Sequence, residues 1–411
     1  MYSQNRRLQS PRGKKAEKSV RRNDTGTPNL QTFLSFGLES AHSQIMLFPE
    51  RKTPTKQARL QKNEQQKNRR SRNRLRRNGQ FSFRENADRG IELIGVYDID
   101  PERNKLAESR GIHAYPTREE LLADPRIELV TVATPNDVHK EIVIAALAAG
   151  KNVICEKPVA MNSAELEEMI AAANRYGKLF TVHQNRRWDE DYLTVKKLVD
   201  ENQLGRIFRI ESRVQGSRGI PSGWREEKEH GGGMVLDWGV HLLDQMLTMM
   251  GKRKLLSVMA TETHITNDEC DDGFTAFCRF EGGIEWIVEV GTCNYIEMPR
   301  WYVFGDGGSA VIRNWACEGE IVKIFNRGED DVAPIQAGAG ITRTMAPRNE
   351  RTVKTYPVKK VKSDWAEYYK NVVATLNGEA EIVVTHDQLR RSMKLIEAVF
   401  QSAETNQVVE F

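Results

Sequence analysis

Residues Ile127–Pro158 read IELVTVATPNDVHKEIVIAALAAGKNVICEKP. Ile127–Ala133 is a short apolar, β-branched run, the pattern of a strand buried on both faces. Asp137–Ala149 follows with helical spacing and is closed by Gly150, the residue that ends helices at no steric cost. Asn152–Cys155 is a second apolar strand. Two such strands joined by a crossover helix form a βαβ unit, which requires a parallel sheet. Lys157 then falls just beyond the second strand, at the carboxyl edge where open α/β sheets bind ligands.

The alternation extends both ways. Upstream, Ile91–Asp98 reads as a strand. Pro101 opens a helix to about Arg110, and Thr117–Ala123 is a short helix capped by Thr117 with Glu120 three residues on. Downstream come a helix at Ser163–Tyr176 and a strand at Lys178–His183. After about Gly205 the pattern changes. Arg206–Val214, Leu255–Thr263, Phe274–Phe280, Ile284–Val290, Trp301–Phe304, Ala310–Arg313 and Ile321–Phe325 read as strands, with turn signals at Gly282-Gly283 and Gly307-Gly308. A helix at Met234–Met250 lies between the first two. Ala333–Arg348 reads as a loop. Helices at Ser363–Leu376 and Thr385–Ala403 close the chain. The expected fold is α/β: a Rossmann-like doubly wound parallel sheet, followed by an α+β domain with an open, mostly antiparallel sheet.

The 411 residues suffice for two sizeable cores. No apolar run approaches the ~20 residues that span a bilayer, and the N-terminus carries no apolar signal core. The five cysteines form no C-x-x-C pair, which suggests reduced thiols and a cytoplasmic protein. The net charge of +4 hides an asymmetry: residues 1–90 carry 22 Lys+Arg against 7 Asp+Glu, so the rest of the chain is strongly acidic. Residues 1–90 show no sustained period, apart from the apolar patch Thr32–Leu38, and Lys67–Gly79 (KNRRSRNRLRRNG) is intensely basic. Composition predicts disorder or a mistranslated segment. A nucleic-acid tail is the sharper reading, but nucleic acid is not expected as a partner.

The chemistry concentrates at Gly231–Asp244, GGGMVLDWGVHLLD. Asp237 and His241, four apart, share a helix face. A carboxylate beside an imidazole suits proton transfer near neutral pH. A metal half-site or a structural pair would share this spacing, but no Cys or His cluster completes a metal site. Asn185, Arg186 and Arg187 in His183–Tyr192 read either as cleft residues that bind hydroxyls or as an interdomain salt-bridge cluster. Trp224 is a candidate for stacking on a sugar ring.

From Ile91 onward the chain resembles the Gfo/Idh/MocA family of NAD(P)-dependent oxidoreductases. The resemblance rests on Val96-Tyr97-Asp98, on Ala133-Thr134-Pro135-Asn136 with His139, on Glu156-Lys157-Pro158, and on the three glycines followed by Asp237 and His241. It implies a sugar, polyol or cyclitol dehydrogenase with Lys157, Asp237 and His241 as catalytic residues. Asp98 would accept hydrogen bonds from the adenosine ribose and favour NAD over NADP. Thr134, Pro135, Asn136, His139, Glu156, Lys157 and Pro158 would surround the cofactor, and Asn185, Arg186, Trp224, Asp237 and His241 the substrate. No metal is implied, and a homodimer or homotetramer is expected.

The family opens with a strand, a G-x-G-x-x-G turn and a helix, whereas the window before Ile91 holds only Gly79 and Gly90. Residues 1 to about 88 are therefore read as foreign to the family, the sheet as having lost its central strand with this unit, and a frameshift or faulty gene model as the cause. The expected layout is a basic segment at 1–90, a dinucleotide-binding domain at 91–204, and a substrate and oligomerisation domain at 205–411 whose last helices pack back on the first. Two other functions fit the same residues: glycoside cleavage through transient NAD oxidation, and a non-catalytic relic that binds sugars or acts as a scaffold.

Overall fold

The computed structural model describes the backbone of residues 44–48 and the whole of residues 91–328 and 333–411. The patch Thr32–Leu38, the basic run Lys67–Gly79 and the window around Gly79 and Gly90 lie outside the described residues. Among the described residues no helix is long and apolar enough to cross a membrane.

The first sheet has six strands: β1 (Gln44–Phe48), β2 (Gly95–Tyr97), β3 (His113–Ala114), β4 (Leu129–Ala133), β5 (Asn152–Cys155) and β6 (Phe180–Val182). Their order is β3-β2-β1-β4-β5-β6, and β2/β3, β4/β5 and β5/β6 pair parallel. The helices α1 (Pro101–Ser109), α2 (Arg118–Ala123), α3 (His139–Ala148) and α4 (Ser163–Tyr176) connect them, as the apolar periodicity predicted. The Thr117 cap is the one the sequence indicated, its side chain accepting from Glu120 N, and Gly177 closes α4 in the left-handed region.

One feature corrects the sequence reading. The central slot, expected to have lost its strand, holds β1, which runs antiparallel to both neighbours with Ile45 opposite Tyr97 and Val132. Its backbone N–H and C=O groups pair with the ladders of β2 and β4, which would otherwise stay open. This run lies over 40 residues before Ile91, outside the window where the family's strand belongs.

A helix the sequence did not announce, α5 (Glu190–Asp200), leads into the second sheet. That sheet is built from β7 (Ile207–Gln215), β8 (Leu255–Thr263), β9 (Gly273–Phe280), β10 (Ile284–Gly291), β11 (Trp301–Gly305), β12 (Gly308–Ile312) and β13 (Gly319–Ile324). The stretch read as a loop contains a hairpin, β14 (Ile335–Ala337) and β15 (Gly340–Thr342), and β16 (Val353–Pro357) and β17 (Val409–Glu410) add edges to the large sheet. The nine-stranded order is β16-β13-β12-β11-β7-β10-β9-β8-β17, antiparallel except for β7/β10. Between β7 and β8 lies α6 (Val240–Met250), almost wholly buried. The chain ends with α7 (Ala366–Leu376) and α8 (His386–Thr405) before β17. Glu397 of α8 accepts from Ser163 N (2.6 Å) and Ser163 Oγ (2.7 Å), and Thr181 of β6 donates to Val384 O (3.0 Å). These bonds fix the last helix against the parallel sheet.

Candidate active site

The predicted helix at Met234–Met250 begins differently from the uniform spiral its periodicity suggested. Val235–Gly239 forms a π-helical turn, and Val240 N reaches back to Val235 O before α6 continues. Such wide turns occur often at functional sites because they re-aim side chains. Asp237 lies within the turn and His241 at the start of α6.

The glycines ahead of the turn have separate reasons. A Cβ on Gly233, which has φ +98°, would overlap Asp271 Oδ1, and one on Gly232 would overlap Arg225 O. Asp271 Oδ2 accepts from Met234 N (2.9 Å) and Val235 N (2.8 Å), so a buried carboxyl group caps the turn. Burial pushes Asp271 up to about 8.

Lys157, beyond β5, meets this turn. Its ammonium donates to Asp237 Oδ1 (3.0 Å) and to Asp237 O (2.8 Å). Burial opposes the charge on Asp237, but Lys157 and Arg225 outweigh it and hold the carboxyl below its ordinary value. His241 is 5% exposed. Its desolvation, reinforced by the neighbouring Lys157 and Arg186 cations, holds the imidazole well below the usual histidine range. Its Nδ1 has no hydrogen-bond partner among the described residues. A neutral ring with unspent hydrogen-bonding capacity, one turn from a lysine–carboxylate pair, is equipped to take a proton.

The remaining predicted residues divide. Asn136 Nδ2 donates to Gly231 O (2.9 Å), which ties the turn after β4 to the glycine run. His139 is fully buried, with Nδ1 2.9 Å from Pro158 O and Nε2 2.9 Å from Thr134 O. The loops after β4 and β5 enclose its ring, which in the neutral form that burial favours donates to one of the two carbonyls. Glu156 pairs with His183 Nδ1 (2.6 Å), and that imidazole packs against Tyr368 and Tyr369. Asn185 and Arg186 sit in the 3₁₀ turn Asn185–Trp188. The Arg186 guanidinium lies 4.2 Å over the Trp238 ring and 3.1 Å from Asp189 Oδ2, where burial pushes that acid up to about 6. Arg187 belongs to a buried structural pair, with Nε and Nη2 on Asp244 at 2.7 and 2.6 Å. The salt-bridge reading holds for Arg187. Trp224 carries the Arg225 guanidinium over its ring at 4.6 Å. Asp98 is engaged in its own turn: its Oδ1 accepts from Asp100 N (2.9 Å), and Arg103 stands 3.9 Å from Oδ2.

Sequence reasoning missed Arg225, Trp315 and Asp271. Arg225 adjoins the stacking candidate Trp224, and its signal was its place six residues before the glycines. Trp315, 5.9 Å from Trp238 and 5.5 Å from the Arg186 guanidinium, has no sequence signal, because it arrives on the connection between β12 and β13.

The donor set suits the reactive end of a nicotinamide dinucleotide: a lysine, an ionised carboxylate and a neutral imidazole at the carboxyl edge of a parallel sheet. The pyrophosphate end differs from the family's plan. Because β1 is reversed, its first residue, Gln44, pairs with Ala133 at the edge where β4 ends. Among the described residues no strand–glycine turn–helix leaves the central slot at that edge.

Residues 74–184 match the family described as oxidoreductase family, NAD-binding Rossmann fold, and residues 192–311 match the GFO/IDH/MocA C-terminal domain. A scyllo-inositol 2-dehydrogenase (NADP(+)) of Bacillus subtilis is 30% identical over 296 residues, or 71% of this chain and 81% of that protein. A 1,5-anhydro-D-fructose reductase of Ensifer adhaerens is 31% identical over 233 residues, or 55% and 69% respectively. The crystal structure of an NAD-binding protein from Listeria innocua has a TM-score of 0.74 at 46% identity, covering 78% of this chain and 92% of that one.

Proposed function

The chain belongs to the Gfo/Idh/MocA oxidoreductases, and from that premise we propose that it oxidises a secondary hydroxyl of a polyol, cyclitol or sugar, or runs the reverse reduction. Lys157, Asp98, Thr134, Pro135 and Asn136 would hold the nicotinamide dinucleotide, which when bound accepts or returns the hydride of the carbinol carbon. NAD is the preferred form, since Asp98 suits a free ribose diol and repels a 2′-phosphate. Arg103, 3.9 Å from that carboxylate, narrows the preference.

The chain's own residues handle the proton. Asp237 anchors the Lys157 ammonium, whose remaining N–H orients the substrate oxygen. His241, neutral at working pH, receives the hydroxyl proton at a ring nitrogen and gives it back in the reductive direction. Trp238, stacked on one side by the Arg186 guanidinium, is the aromatic candidate for packing against a sugar, with Trp315 behind it under Arg300. The observation that carries the proposal is the Lys157–Asp237 contact at 3.0 Å beside a neutral, buried His241.

The test is formation of reduced nicotinamide from inositols and anhydro sugars with NAD or NADP, for the native chain and for Lys157→Met and His241→Gln. Turnover that both substitutions abolish supports the proposal. No turnover across the panel, or turnover that both variants retain, contradicts it.

A further inference from the structure

Asp237 Oδ1 is shared by two cations. Lys157 Nζ stands 3.0 Å away and Arg225 Nε 3.3 Å away. All three side chains are largely buried, at 17%, 16% and 12% exposure for Lys157, Arg225 and Asp237. Arg225 is held there on several sides. Its guanidinium stacks 4.6 Å from the centre of the Trp224 ring. Its carbonyl accepts from Gly233 N (3.0 Å), and Gly232 N donates to Glu227 O (3.0 Å). A side chain on Gly232 would collide with that same Arg225 carbonyl. The glycine run therefore lets the Arg225 loop lie directly against the turn that carries Asp237.

We infer that Arg225 is a positioning residue for the reaction, a second cation that keeps Asp237 ionised while the Lys157 ammonium is engaged with substrate. The inference rests on the roles proposed above for Lys157 and Asp237. Its physical basis is the difference between the two cations. A lysine in a desolvated site can lose its proton or swing toward another oxygen, whereas a guanidinium stays charged and is fixed by its stacking. A carboxylate this poor in water protonates readily when a counter-charge beside it weakens. With Arg225 in place Asp237 stays charged while Lys157 shares its protons with substrate, so Asp237 can hold Lys157 throughout the cycle. The other charged groups around this end of the helix act on neighbouring positions. Arg186 and His183 bear on His241. Glu226 turns back to Gly223 N (3.3 Å), and Glu227 faces His230 (3.3 Å).

The test compares Arg225→Gln, which removes the charge, with Arg225→Lys, which keeps it. Ionisation of Asp237 is read by carboxyl carbon NMR in the cofactor-free chain, with Asp237→Asn to assign the signal. The acid limb of kcat/KM is the second readout. An opposite charge in contact moves a carboxyl by roughly one to three units, so Arg225→Gln should raise the Asp237 midpoint on that scale and carry the acid limb upward with it. Arg225→Lys should stay near the native midpoint. An unmoved midpoint in Arg225→Gln, or equal movement in both variants, overturns the inference. Because the NMR titration needs no turnover, failure of the proposed substrate class would leave this result readable.

Discussion

Removing Asp244 should cost the fold more than any exposed ion pair. Arg187 and Asp244 are 4% and 3% exposed and meet through two charged hydrogen bonds of 2.7 and 2.6 Å. In Asp244→Ala the guanidinium keeps two acceptors on Nη1, Val383 O at 3.2 Å and Gln388 Oε1 at 2.9 Å, while Nε and Nη2 are stranded away from water. Breaking a buried pair by deleting one partner costs about 3–5 kcal/mol, and the two surviving acceptors place this case near the lower bound. At ~2 °C per kcal/mol for a large chain, Asp244→Ala should melt about 6 °C below the native protein. The assay is thermal unfolding followed by circular dichroism. The double variant Arg187→Met/Asp244→Leu removes the stranded charge and should recover most of the loss. The reasoning fails if Asp244→Ala melts within about 1 °C of native, or if the double variant is no better than the single one.

Further outcomes follow from the same structure. His241→Gln should lower kcat by roughly 10²–10⁴-fold, the usual contribution of a general base, with little effect on NADH affinity; an equal loss of both would instead point to collapse of the site. Because the native fold keeps His241 neutral, the unfolded chain binds the extra proton as pH falls below ~6.5, so acid should destabilise the native chain more than His241→Gln in parallel melts. Asp271 has the opposite sign. Its carboxyl is pushed up to about 8, so the native state holds a proton that the unfolded chain releases above ~4, and stability falls as pH rises between those values. Asp271→Asn keeps an oxygen for Met234 N and Val235 N without the ionisation, and should lose less stability than native from mildly acid to mildly alkaline pH. Asp98→Ser should shift coenzyme preference toward NADPH, measured as the ratio of NADPH to NADH dissociation constants; an unchanged ratio would show that Asp98 does not face the ribose.

What the sequence made legible was local. Asn152–Cys155 and Ser163–Tyr176 form the strand and helix read from it, because strand patterning, an Asn cap and a terminal Gly all agree there. Lys157 and Asp237 were picked out 80 residues apart and meet at 3.0 Å. What escaped was set by partners distant in the chain. Arg187 looks like a cleft residue until Asp244 comes to meet it, and His139 looks like a ligand contact until Thr134 and Pro158 enclose its ring. The identity of β1 was invisible for the same reason: nothing in QIMLF says that it will enter the central slot reversed, since that is decided by the open ladders of β2 and β4. The π turn at Val235–Gly239 was hidden because its composition is that of an ordinary helix.

The central claim is that this edge of the sheet takes a nicotinamide dinucleotide through Lys157 despite the reversed strand in the central slot. Fluorescence titration of the full chain with NADH, alongside Lys157→Ala, tests it most directly. Saturable binding that Lys157→Ala weakens is the predicted result. An absence of saturable binding, or binding indifferent to Lys157, would contradict the account.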